Sequence, residues 1–162
     1  MIPTTSPYSA ATPSSPTPSP THPRNDTRRR LTWDELMDAV RDAGQYATTA
    51  EAARVTRIVL SALGGHVTGE ARVDLARHLP EEAARLISSQ VPVTRPLTAA
   101  EFVDAVATRI EGATPATARW DVSSVLSTLP HMVGAPSVAR VLAQLPPGYA
   151  LLFGLPELTS GP

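Results

Sequence analysis

The chain is written twice. Set at a constant offset of 66 residues, Leu31 to Ile87 align with Leu97 to Phe153 without a gap. Identical pairs include Leu31/Leu97, Thr32/Thr98, Glu35/Glu101, Asp38/Asp104, Val59/Val125, Leu60/Leu126, Leu63/Leu129 and Leu79/Leu145, and about a third of the 57 aligned positions match. The matches gather at apolar and capping positions, so what recurs is the information that builds a fold. No catalytic, metal-binding or phosphate-binding motif recurs with it.

The period of the repeat is helical. Thr32 with Glu35 and Thr98 with Glu101 have capping-box spacing, in which each threonine hydroxyl accepts the third amide and each glutamate reaches back. Trp33, Leu36, Met37 and Val40, copied as Ala99, Phe102, Val103 and Val106, form the i, i+3, i+4, i+7 stripe of an amphipathic helix. Thr48 with Glu51, and Thr114 before Pro115, start a second helix that runs to Leu63 or Leu129, where Gly64-Gly65 or Pro130 stops it. Thr68 or Gly134 opens a third through Leu79 or Leu145, and Pro80-Glu81-Glu82 begins a short fourth ending near Ile87. No segment alternates with period two, the pattern of a half-buried strand.

Residues 1–30 carry seven of the 17 prolines and eleven Ser or Thr, a composition that offers too little apolar surface to offset the entropy of ordering. The expected fold class is therefore all-α: a helical bundle of two tandem related four-helix repeats behind a disordered Pro/Ser/Thr-rich tail. The boundaries read as tail 1–30, repeat one 31–89, linker 90–96, repeat two 97–155 and a short C-terminal tail 156–162, with 31–155 as a single helical domain. Pro13 to Pro16 and Pro20 to Arg24 have the spacing of polyproline ligands, but such patterns arise freely in a proline-rich leader. Arg28, Arg29 and Arg30 read as a solvated linker.

The run Trp33-Asp34-Glu35-Leu36, the spaced Ala52, Val59-Leu60 and Leu63, and Gly69-Glu70-Ala71 with Leu75 leading to Leu79-Pro80 resemble the bacterial helical family catalogued as domain of unknown function 2267. The resemblance covers residues 31 to 153 and implies an all-helical two-repeat bundle; it brings no activity with it. The second repeat departs from the pattern at Ala135-Pro136-Ser137 and at Pro130, so its third helix is expected to start at a different angle.

Composition bounds the function. A net charge of −1 and a pI near 6.4 lack the basic excess of a general nucleic-acid or anionic-membrane binder. With no cysteine, disulfides, thiolate catalysis and Cys-ligated metal sites are excluded, and a cytoplasmic location is expected. No run approaches the roughly 20 apolar residues of a membrane span, and no export signal opens the chain. Glu35 with Asp38, and Glu101 with Asp104, place paired carboxylates on the first helix of each repeat; helix-start acids explain them better than a metal or acid–base site. His66, His78 and His131 have no nucleophile or metal-ligand spacing and read as caps or surface residues. No catalytic, cofactor or metal site is expected. Gly65 to Leu79 has a helix-turn-helix look, but Glu70 and Asp74 offset Arg72, Arg77 and His78, which argues against DNA.

The difference between the repeats is more informative. Arg54 becomes Trp120, Thr56 becomes Val122, His66 becomes Met132, Arg72 becomes Val138, Ala76 becomes Leu142 and Arg85 becomes Leu151. Between Asp121 and Glu157 the only charged residue is Arg140, so this stretch is expected to be covered, by repeat one, by a second copy of the chain or by a foreign protein. Trp120, Val138, Leu142 and Leu151 are the candidate interface residues. The expected function is a non-enzymatic interaction or regulatory module; the alternatives are a DNA-binding regulator using Gly65 to Leu79 and a small-molecule-binding protein or enzyme without a recognisable motif.

Overall fold

A computed structural model describes residues 30–156; all of the N-terminal tail except Arg30, and residues 157–162 of the C-terminal tail, lie outside them. Among the described residues every regular element is helical: α1 (Trp33–Gly44), α2 (Thr49–Gly64), α3 (Gly69–His78), α4 (Glu81–Ser88), α5 (Ala99–Ala107), α6 (Pro115–Leu126), α7 (Leu129–Val133), α8 (Ala135–Ala143) and α9 (Tyr149–Leu152).

The helices begin where the side chains can cap them. Thr32 and Thr98 form complete capping boxes with Glu35 and Glu101, and Thr114 forms one with Thr117 while Pro115 occupies the first turn. Each box satisfies orphan amides and fixes a helix start. At its end α1 turns off through Gln45, left-handed at φ 56°. Gly44 lets this turn close: a Cβ there would overlap the Tyr46 ring and come within 2.8 Å of Ser124 Oγ.

The amphipathic faces then set the packing. Leu36, Met37 and Val40 of α1 and Phe102, Val103 and Val106 of α5 are buried, as the stripe requires. The two central helices are α2 and α6, which pack on one another and each receive the first helix of the other half, α1 against α6 and α5 against α2. Helices α3 and α8 meet along a second seam, and α4 closes over α2 and α3. One apolar cluster runs through both halves, from Leu36 to Phe153.

Two sequence readings are corrected here. Pro130 does not stop the second long helix: α6 already ends at Leu126, and Pro130 sits in the first turn of α7, where its missing amide costs no hydrogen bond. The counterpart of α4 is shorter than expected, a single turn at α9. It lacks the acids of Glu81-Glu82 and starts instead from Gly148, left-handed at φ 100°.

Candidate functional site

Trp120 and its neighbour Asp121 stand where α1 ends against α6. The indole Nε1 of Trp120 donates to the Gly44 carbonyl at 3.0 Å, satisfying a helix C-terminal carbonyl that has no intrahelical donor. One residue on, Asp121 accepts from the Tyr46 hydroxyl at 2.5 Å. Burial pushes the Tyr46 phenol up, and its bond to the Asp121 carboxylate adds to the rise. Burial also pushes the Asp121 carboxyl up, against the lowering effect of the Tyr46 bond, and Glu51 raises it further while Arg54 opposes. This is a structural clasp holding a ring in place. Trp120 itself stays 54% exposed.

The other three candidate residues do not join it in one patch. Val138 is 1% exposed and belongs to the core, on α8, which packs against α3 and α7. It is covered by its own chain and leaves the candidate surface. Leu142 is partly buried against that core, while Leu151 is 50% exposed on α9. Val122 and Met132, also apolar only in the second copy, are buried and partly buried. Much of the apolar excess of the second half is thus absorbed internally.

The seam between α3 and α8 is tied by polar contacts. Asp74 accepts from Ser137 Oγ at 2.6 Å and pairs with Arg140 at 3.0 Å. The Ser137 bond, followed by the nearby Arg140 and His78, holds the Asp74 carboxyl below its usual range. The Gln144 amide clasps the backbone of Thr68 in both directions, at 2.8 and 2.9 Å. An open groove of about 740 Å³ beside the seam is lined by Glu70, Arg72, Val73, Asp74, Arg77 and Arg140 among others. Its charges nearly cancel, three arginines against two carboxylates, with Asp74 paired to Arg140 and Arg72 bound to backbone carbonyls.

Sequence reasoning missed these partners because it treated each arginine and histidine as a free charge. Arg72 donates to the Gly64 and Gln90 carbonyls at 2.8 and 2.5 Å, and Arg30 donates to the Leu79 and Ala76 carbonyls at 2.7 and 3.1 Å. Both cap helix ends, where a cation meets the negative pole of the helix. The signal was available in the spacing of Arg72 from the glycines, though nothing local announced Arg30, 49 residues from its acceptor. Of the helix-turn-helix-like element, Ala71 and Leu75 are buried and the described exposed side of α3 presents Glu70, Val73, Arg77 and His78.

Among the described residues no group of three or more His, Cys, Asp or Glu is placed to hold a metal ion. Glu35 and Glu101 each serve their own capping box; the Glu101 carboxyl is lowered by the Thr98 amide it accepts and by Arg95. No described helix is long and apolar enough to cross a membrane.

A family model described as "Uncharacterized conserved protein (DUF2267)" matches residues 33–152, from the first residue of α1 to the last of α9. The chain belongs to this family. No curated protein matches the sequence. The DUF2267 match takes in both copies of the repeat, including the α6–α7 break and the seam at Asp74, Ser137 and Arg140.

Proposed function

We propose that this DUF2267 chain is a duplicated helical unit that works as a non-enzymatic interaction module in the cytoplasm, presenting Trp120 to a protein partner. The duplication is supported by helix starts at Trp33, Thr49 and Gly69 that recur 66 residues later at Ala99, Pro115 and Ala135. It is supported also by reciprocal packing: α1 on α6 answers α5 on α2, while α2–α6 and α3–α8 pair like with like. That pattern is the one an internal two-fold axis produces. The repeats differ in that residues 129–133, the counterparts of the end of α2 and the turn after it, form the separate helix α7, and in that the fourth helix is a single turn in the second copy.

The observation that carries the interaction reading is the state of Trp120. Its indole nitrogen is anchored and its neighbour is locked by Tyr46, yet half of the side chain faces solvent. A large aromatic already fixed in place loses little side-chain entropy on docking and suits the centre of an interface. Nothing comparable supports the alternatives: the lining of the groove beside α3 is within one charge of neutral, and its Asp74, Arg140 and Arg72 are engaged with one another or with backbone.

Affinity purification of the tagged full chain, alongside Trp120→Ala, tests the proposal. The substitution should remove a specific co-purifying protein while the far-ultraviolet dichroism and the melting midpoint stay within a few degrees of the parent. An identical set of partners for both proteins overturns the assignment of Trp120. Light scattering of the purified chain separates the homodimer case, in which the parent self-associates and the variant does not.

A further inference from the structure

His66 follows the end of α2 and replaces the Met132 of the second copy, and both of its ring nitrogens are used. Nδ1 lies 3.1 Å from the Ala62 carbonyl, and Nε2 accepts the Leu97 amide at 3.4 Å. A carbonyl only accepts and an amide only donates, so the pair of contacts fixes the neutral tautomer with hydrogen on Nδ1. The ring is further held edge-on to Phe102 at 5.4 Å. Leu97 follows the linker, opens the second half and stands just before the Thr98 cap of α5. His66 therefore ties the last turn of α2 to the first residue of the second half.

We propose that His66 is a proton-operated latch between the two halves. A proton added at Nε2 turns that atom into a donor facing the Leu97 amide, so this bond is lost. At the same time the Nδ1–H bond to Ala62, at the C-terminal end of α2, becomes charge-assisted. The two effects oppose one another, and the consequence is local: the helix cap tightens while the linker lets go at Leu97. The charged groups on the packed elements do not substitute for the lost bond. Arg72 is held by the Gly64 and Gln90 carbonyls, Arg95 pairs with Glu101 at 3.6 Å, Glu101 is bound to the Thr98 amide, and Gln144 across the recess is neutral. Among the described residues His66 forms no ion pair; the histidine that does is His78, with Asp74.

Nuclear magnetic resonance of the full chain, titrated from pH 7.5 to 5.5, tests the latch. At the upper end the His66 ring nitrogens should show the Nδ1–H tautomer. As the pH falls, the Leu97 amide resonance should move with the same midpoint as the His66 ring, and its exchange protection, corrected for the intrinsic rate, should drop by about three- to tenfold, the worth of one neutral hydrogen bond. In His66→Gln the Leu97 amide should be flat with pH, and His66→Met, which copies the second repeat, serves the same purpose if the glutamine variant fails to fold. A Leu97 amide indifferent to the ring titration, an Nε2–H tautomer at pH 7.5, or the same loss of protection in the non-titrating variant overturns the proposal.

Discussion

At the scale of single residues, the two copies report on each other. Thr56 is fully buried in α2 and its hydroxyl has no hydrogen-bond partner, whereas the equivalent position in α6 is Val122, equally buried and without a polar atom. A shielded hydroxyl without a partner forfeits its hydration for nothing in return. Thr56→Val should therefore raise stability by about 1 kcal/mol, seen as a rise of several degrees in the melting midpoint. A lower midpoint would show that the hydroxyl is bonded after all. Asp121 gives a second case, with the sign set by burial. Its carboxyl titrates higher in the fold than in the unfolded chain, so the stability it lends is present when it is protonated and lost as pH rises through its folded value. Asp121→Asn keeps an oxygen for the Tyr46 hydroxyl and removes the charge. The variant should melt above the parent at neutral pH, with the gap closing as the pH falls to about 3.5, below the usual carboxylate range.

The elements show which parts of the fold could be read from sequence and which could not. Starts were legible, because a cap is a local device: the boxes at Thr32 and Thr98 lie where Thr and Glu stand three apart, and the apolar stripes that follow are buried. Ends and breaks were less so. Proline after a leucine reads equally as a stop for one helix or a first turn for the next, and only the tertiary room for α7 decides between them at Pro130. The candidate surface was half legible for the same reason: position in a repeat tells that Val138 and Trp120 are apolar where their counterparts are charged, but which of them faces α3 and which faces water depends on packing. A related distinction gives an element-level prediction. Thr98 caps α5 with its side chain, while Thr68 makes no side-chain cap at α3 and is held instead by its backbone through Gln144. Thr98→Ala should cost about 1 kcal/mol, whereas Thr68→Ala should stay within about 0.5 kcal/mol of the parent in denaturant titration, as expected for a surface change that removes no cap. Equal losses would mean that both helices start by the same mechanism.

In the whole molecule, the reciprocal seating of α1 on α6 and α5 on α2 makes each half part of the other's core. Leu60 and Leu126 occupy matching positions on the two central helices and are both completely buried. Truncating either to alanine should destabilise by roughly 2 to 5 kcal/mol, the range for deleting a buried leucine side chain. The manner of unfolding is the sharper test. If the halves were independent repeats, Leu60→Ala would lower the transition of the first half and leave the second at its original midpoint. Interlocked halves cannot part in this way, because melting α2 removes the seats of α5 and α6 together. Both variants should melt in one transition, with dichroism and tryptophan fluorescence coinciding and the calorimetric and van't Hoff enthalpies equal. Trp33 on α1 reports the first half and Trp120 on α6 the second, so Trp33→Phe and Trp120→Phe backgrounds follow each half separately. Two separated transitions in either leucine variant would break the single-core account, while one shared transition, shifted alike by both, ties the packing of α1 through α9 into one cooperative unit.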